Sequence, residues 1–132
     1  MKKIARGLSR LVPELDAILT SPFLRAVQTA KALARFYPRA ELERAPELEP
    51  GGDFQELLAR IDKMERHETL GLVGHEPFLT RFAGWLLTGE KLSFIDLGKG
   101  GAFLLDLEET AREGGAVLEW SLGPKLLPRI KR

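Results

Sequence analysis

Two stretches of similar design decide the fold: residues 16–30, DAILTSPFLRAVQTA, and residues 69–87, TLGLVGHEPFLTRFAGWLL. Each begins with a short apolar run, passes through a turn that contains proline, and continues into a segment whose apolar residues recur at spacings of three and four. A short apolar run bounded by turn residues predicts a buried strand, and the three-four spacing predicts an amphipathic helix. The two stretches therefore predict two strand–turn–helix units, with strands near residues 16–20 and 69–74.

The helix starts are marked by specific residues. Ser21 is expected to be the N-cap of the first helix, with Pro22 at its first helical position. In the second unit, Gly74 is expected to let the backbone turn sharply before His75-Glu76-Pro77 leads into the helix. The apolar faces of the two helices are Phe23, Val27, Ala30 and Ala34 in the first, and Phe78, Leu79, Phe82, Ala83, Leu86 and Leu87 in the second.

The rest of the chain extends this pattern. Apolar residues up to Leu15 predict an opening helix that Pro13 interrupts, and Asp53, three residues before Glu56, resembles a capping box that begins another helix. Residues 41–45 predict at most a short edge strand, and residues 101–107 and 116–122 predict a hairpin. The fold class is therefore a three-layer α/β/α domain with a mixed sheet whose centre is parallel. The tail at residues 128–132 is expected to be a solvated end.

Composition limits the possible functions. The 132 residues suffice for one domain, and 20 basic and 19 acidic side chains give a net charge of +1. This balance supplies no long-range field for nucleic acid or an anionic membrane, so neither is expected as a partner. The chain has no cysteine and only two histidines, His67 and His75, which are too few for a metal site without several carboxylates. We therefore expect no metal and no other cofactor.

Location and source are indicated only by what the sequence does not contain. No run of about 18 apolar residues and no signal peptide are recognisable, which favours the cytoplasm. The chain contains no asparagine and two glutamines, a bias that favours a thermophilic source. The oligomeric state is not indicated.

Arg25 and His75 are the candidate functional residues. In an open α/β sheet, ligands bind beyond the carboxyl ends of the parallel strands, beside the amino ends of helices. Arg25 lies in the first turn of its helix, where a cation faces the positive end of the dipole, so a bound phosphoryl group would suit its guanidinium. His75 follows its strand and could donate to a phosphate oxygen as imidazolium. The alternatives are a solvated Arg25 that bends away and a His75 bonded to a neighbouring carbonyl.

Other titratable residues are weaker candidates. His67 lies among charged residues and is expected to be exposed, without a special role. Glu47, Glu49 and Glu76 are the carboxylates nearest these loops, and none is assigned as a general acid.

The two motifs together resemble those of the histidine phosphatase superfamily, specifically its SixA-type phosphohistidine phosphatase branch. The resemblance rests on the segment 21–30, SPFLRAVQTA, followed by the segment 73–77, VGHEP, with support from segments 46–53 and 119–124. It implies a phosphoglycerate-mutase-like fold and hydrolysis of phosphohistidine or a small phosphoester through a phosphohistidine intermediate. It also implies that Arg25 and His75 are catalytic and bind phosphate, with Ser21 and the amides near it as a further phosphate-binding group.

The sequence departs from the family at one point. Members begin with a strand that ends in Arg-His-Gly, whose histidine is the nucleophile, and this chain contains no Arg-His-Gly. The expectation is an N-terminally incomplete domain over residues 1–132, whose complete form acts on a phosphorylated protein or a small phosphoester. The alternative is a noncatalytic module that binds phosphate or phosphohistidine.

Overall fold

A computed structural model describes residues 2–64, 69–93, 98–107 and 112–131. In this part of the chain the helices are α1 (Lys2–Leu11), α2 (Leu24–Ala34), α3 (Phe54–Asp62) and α4 (Phe78–Thr88). The strands are β1 (Ala17–Thr20), β2 (Glu41–Arg44), β3 (Leu70–Val73), β4 (Ala102–Asp106) and β5 (Val117–Leu122). Two short 3-10 turns, Pro46–Leu48 and Leu127–Arg129, complete the regular structure of these residues.

A parallel sheet with the strand order β2-β1-β3 forms the centre of the molecule. Ala17 pairs with Glu41 of β2 on one side and with Leu70 of β3 on the other. All four residues of β1 are buried, whereas all four of the edge strand β2 are exposed. The sequence prediction of a short edge strand at residues 41–45 is therefore confirmed.

The hairpin forms a sheet of its own. Strands β4 and β5 pair antiparallel, with an irregularity between Leu104 and Leu105, and among the described residues they do not pair with the parallel sheet. The predicted hairpin is thus present, but the single mixed sheet expected from the sequence is divided into two.

Helices cover both faces of the parallel sheet. Ile18 packs on one face in a cluster with Ala5 of α1 and Leu33 of α2. Its neighbour Leu19 points to the opposite face, because successive side chains of a strand alternate. There it joins a cluster with α3 and α4 that contains Phe54, Leu57, Phe82, Trp85 and Leu86. This arrangement confirms the three-layer fold class predicted from the sequence.

Helix α2 begins later than the sequence predicts. Its first residue is Leu24 and its N-cap is Phe23, so Ser21 is not the N-cap and Pro22 precedes the helix. The reason is that the backbone N–H of Ser21 donates to the carbonyl of Val73 at 2.9 Å, which continues the pairing with β3 by one residue. Phe23 was expected in the core, but it is 47% exposed.

The chain end is also different from the expectation. The turn Leu127–Arg129 packs on α1, and Leu127 is fully buried. Arg10 donates from its guanidinium to the carbonyl of Ile130 at 2.9 Å. Pro128 and Ile130 are half-buried, because α1 provides a packing surface that is not visible in local sequence, whereas Arg129 and Lys131 are exposed, as expected for a solvated end.

The predicted cap of α3 is confirmed. The carboxylate of Asp53 accepts from the backbone N–H groups of Gln55 at 2.7 Å and Glu56 at 3.3 Å. This satisfies two amides of the first turn that have no partner inside the helix.

Candidate functional site

Ser21 and His75 meet where two neighbouring strands end. β1 ends at Thr20 and β3 ends at Val73, and these two residues are register partners in a parallel pair. The residues that follow therefore leave the sheet at the same edge. The Oγ of Ser21 lies 2.8 Å from Nε2 of His75, a hydrogen bond between side chains that are 54 residues apart.

The imidazole of His75 is held on several sides. Its backbone carbonyl accepts from the N–H of Leu79 at 2.9 Å, which ties the residue to the start of α4. The ring of Phe23 lies 5.2 Å from the imidazole, centroid to centroid, at an interplanar angle of 57°. His75 as a whole is half-buried.

Gly74 acts through close packing rather than through an unusual backbone conformation. Its φ does not lie in the left-handed region. A Cβ at this position would lie 3.3 Å from Cγ of Leu79, tighter than an ordinary van der Waals contact. The expectation that Gly74 supplies a sharp turn is therefore replaced by a packing reason, namely the approach of α4 to the end of β3.

Ser21 is fully buried, and both its backbone and its side chain are engaged. Its Oγ accepts from the backbone N–H of Phe23 at 3.2 Å, in addition to its contact with His75. Its carbonyl accepts from the hydroxyl of Thr20 at 2.9 Å.

Arg25 lies at the same edge but in a different environment. It is the second residue of α2 and is exposed, and the first turn of this helix contains no acidic residue. Its side chain lines an open cavity of about 450 Å³ together with Gln28, Thr29 and Ala32, which share one face of the helix. His75 does not line this cavity. The structure thus brings Ser21 and His75 into contact, and Arg25 forms no hydrogen bond with either of them among the described residues.

Comparison with solved structures identifies the architecture. The structure of the protein histidine phosphatase SixA complexed with tungstate superposes with a TM-score of 0.78 at 23% identity, over 96% of this chain and 80% of that one. A phosphoglycerate mutase from Plasmodium falciparum superposes with a TM-score of 0.67 at 17% identity, over 90% of this chain and 79% of that one. The chain has the histidine phosphatase fold. The resemblance inferred from the two motifs is confirmed at the level of the fold.

Sequence comparison adds one relative. An uncharacterised protein from Picosynechococcus sp. is 37% identical over 106 residues, which represent 76% of this chain and 62% of the relative. The chain therefore spans less than two thirds of the length of this relative. No family model matches the chain.

Two of the carboxylates near the site of this histidine phosphatase fold, those of Glu76 and Glu47, have other partners. Oε1 of Glu76 accepts from the backbone N–H of Thr80 at 3.0 Å and so caps the first turn of α4. Oε1 of Glu47 lies 3.5 Å from the guanidinium of Arg60. Glu49 is half-buried, and its backbone N–H donates to Pro46. His67, expected to be exposed, lies outside the described residues.

Within the part of the chain that the structure describes, no three histidine or acidic side chains form a group that could hold a metal ion. In the same residues, no helix has the length and apolar character needed to cross a membrane.

The contact among Ser21, His75 and Phe23 is what sequence reasoning did not find. His75 is predicted as a site residue because it follows a predicted strand, whereas Ser21 is predicted as one only from the family resemblance. Their direct bond depends on the parallel register of β1 and β3, for which the sequence has no local signal. Phe23 was assigned to the core because its spacing to Val27 is helical, although it precedes the helix.

Proposed function

We propose that the protein is a phosphatase of the histidine phosphatase type that acts on phosphohistidine in a protein or on a small phosphoester. In this proposal, His75 and Arg25 bind the phosphoryl oxygens and stabilise the charge that develops on them during transfer. The observation that carries the proposal is the position of His75, held by Ser21 at the carboxyl edge of the parallel sheet on this fold.

The electrostatics of this edge favour an anionic ligand. The amino end of α2 carries the positive end of the helix dipole, and no carboxylate in its first turn neutralises it. Among the described residues, Arg25 forms no ion pair, so its guanidinium is available for two oxygens of one phosphate. Since Arg25 supplies positive charge and His75 supplies a hydrogen-bond donor, we expect hydrolysis to need no metal.

The solved neighbours support the substrate class. One is a protein histidine phosphatase with bound tungstate, a tetrahedral oxyanion of the same shape as phosphate, and the other is a phosphoglycerate mutase. We extend the first of these activities to this protein as a proposal, because Ser21, Arg25 and His75 carry the two motifs on which the resemblance rests.

The nucleophile is the part of the chemistry that these residues do not provide. A route through a phosphohistidine intermediate needs a nucleophilic histidine in line with the phosphorus. Apart from His75, the 132 residues contain one other histidine, His67. We propose that the complete protein contributes the nucleophile on an additional strand. Within the described residues, β3 has a partner on one edge only and β4-β5 form a separate sheet, so the parallel sheet has an edge that another strand could pair with.

Hydrolysis of p-nitrophenyl phosphate tests this proposal. The substrate is offered, with a metal chelator present, to the 132-residue chain and to a chain extended by the residues encoded upstream of Met1. We expect turnover only from the extended chain, and its loss on His75→Ala. The matched control is Arg35→Ala at the other end of α2, which should leave turnover unchanged. Equal turnover by both chains would show that the nucleophile lies within the 132 residues, and no turnover by either would reject a phosphatase.

The second candidate is a noncatalytic module that binds phosphate or phosphohistidine. The absence of Arg-His-Gly from the 132 residues favours it. The two candidates differ in the upstream DNA: the phosphatase requires an in-frame Arg-His-Gly about 25–35 residues before Met1, the usual combined length of a strand, a loop and a helix start. Its absence would favour the module.

A further inference from the structure

The buried hydroxyl of Ser21 needs an acceptor for its proton. Ser21 is fully buried, and buried hydroxyl groups are hydrogen-bonded in nearly all native structures. Its Oγ already accepts from the backbone N–H of Phe23 at 3.2 Å. Among the described residues, the one further polar atom bonded to Oγ is Nε2 of His75 at 2.8 Å. The proton of the hydroxyl therefore has its acceptor in the imidazole.

We propose that Ser21 donates to Nε2 of His75 and thereby keeps the neutral imidazole in the form that carries its proton on Nδ1. Ser21 is then a positioning residue, and Nδ1–H of His75 is the donor that faces the phosphoryl oxygen. The tautomer follows from the geometry of Ser21 alone. The use of Nδ1–H by a phosphoryl group rests on the proposed function.

The opposite arrangement leaves polar groups unsatisfied. If Nε2 carried the proton and donated to Ser21, the oxygen would accept twice and its own proton would have no acceptor in the described part of the chain. Nδ1 would then be a lone pair facing an anionic ligand, which is repulsive. In the proposed arrangement the N–H of Phe23 donates to Oγ of Ser21, and the hydroxyl of Ser21 donates to Nε2 of His75. Such chains of bonds polarise one another.

Both ends of this bond are fixed by the backbone, so the arrangement can persist without a ligand. Ser21 is tied to β3 through the carbonyl of Val73, and His75 is tied to α4 through Leu79. The ring of Phe23 limits rotation of the imidazole on one side. The sequence suggests an imidazolium at this position. In the proposed arrangement the ring instead donates to the ligand as a neutral imidazole, without first gaining a proton.

Long-range proton–nitrogen NMR spectra identify the tautomer directly. The protein is uniformly labelled with ¹⁵N and studied at about pH 8.5, two units above the ordinary histidine value, so that an unperturbed imidazole is neutral. A His67→Gln variant removes the other histidine and assigns the remaining signals to His75. We expect the pattern of a protonated Nδ1 and an unprotonated Nε2. A protonated Nε2 and an unprotonated Nδ1 in the protein with Ser21 intact would overturn the proposal, independently of the results for the Ser21 variant.

A pair of serine variants separates positioning from general structure. Ser21→Ala removes the donor to Nε2 and should move the His75 signals toward the Nε2–H form. Ser93→Ala removes a hydroxyl that bonds Thr80 at 2.8 Å and should leave them unchanged. If Ser21→Ala retains the Nδ1–H pattern with an unchanged amide spectrum, Ser21 does not set the tautomer.

Addition of tungstate then tests how the donor is used. We expect the Nδ1 and Hδ1 signals of His75 to shift and the Nε2 signal to change little. If the Nδ1–H tautomer is present but tungstate has no effect, the proposed function fails while the role of Ser21 stands. If tungstate shifts the signals of an Nε2–H ring, the oxyanion site stands while the role of Ser21 fails.

Discussion

Arg25 and Arg35 occupy opposite ends of α2, and this gives them opposite relations to the helix dipole. Arg25 is in the first turn, where a cation is unfavourable, and Arg35 is the C-cap, where a cation is favourable. Both side chains are exposed. A basic residue at the unfavourable end is consistent with a role in binding an anion rather than in stability.

The two arginines therefore predict a crossed pattern. Arg25→Ala should lower tungstate affinity about 10- to 100-fold, the loss of one charge-assisted hydrogen bond, and leave the melting temperature unchanged or higher. Arg35→Ala should keep the affinity and lower stability by about 0.3–1 kcal/mol. Calorimetric titration and thermal unfolding of the two variants measure both quantities. Equal effects of the two on affinity would mean that Arg25 acts only through overall charge.

Tyr37 predicts a loss of stability at high pH. Its hydroxyl donates to the carbonyl of Val12 at 2.6 Å, and burial raises the pKa of Tyr37 to about 12 from its usual 10. Because the folded-state value is the higher one, the unfolded chain loses its proton first. The free energy of unfolding should then be constant below about pH 10 and fall between pH 10 and 12.

Denaturant unfolding at a series of pH values measures this effect. Tyr37→Phe removes the titrating group and should flatten the decrease between pH 10 and 12. If the free energy of unfolding of Tyr37→Phe falls by the same amount between pH 10 and 12, groups other than Tyr37 cause the loss of stability.

At the scale of elements, the contact between α1 and the turn Leu127–Arg129 depends on one glycine. A Cβ at Gly7 would overlap the backbone carbonyl of Leu127. Because a carbonyl in a packed turn cannot move as a flexible side chain does, the two elements would have to separate. Gly7 is buried within α1, where alanine would otherwise be the better helix former.

Gly7→Ala should therefore destabilise the protein by about 1–3 kcal/mol, the usual range for overpacking, despite the gain in helix propensity. Gly123→Ala is the matched control, since a Cβ there has no atom within 4 Å and no left-handed φ is recorded for it. Thermal unfolding of both variants is the measurement. An increase in stability for Gly7→Ala would show that the turn does not pack on α1 as described.

The elements that sequence predicts well are those whose signal is local. The apolar runs at residues 16–20 and 69–74 and the cap at Asp53 need no knowledge of the rest of the chain. The start of α2 was predicted wrongly, and the half-burial of Pro128 and Ile130 was not predicted, because distant partners decide both. Val73 extends the strand conformation to Ser21, and α1 covers Leu127.

At the scale of the molecule, the site also combines features that local sequence predicts with features that distant partners decide. Parallel topology places Ser21, Arg25 and His75 at one edge, and this followed from the strand–turn–helix pattern. The bond from Ser21 to His75 could not be predicted, because it depends on a register in which Thr20 and Val73 are opposite each other. The motif residues were thus identified without the geometry that relates them.

Among the described residues, β3, the strand that leads into His75, has fewer pairing partners than β1, the other strand at the site. β1 has a neighbour on both sides and is fully buried, whereas β3 pairs only with β1 among the described residues and its four residues are half-buried. Amide groups protected on one edge exchange with solvent through small local openings, at a lower free energy than global unfolding. Hydrogen exchange should therefore be faster in β3 than in β1. An opening of β3 withdraws His75 from Ser21 while the centre of the sheet remains folded, so the preorganisation of the site is set by this one strand pairing.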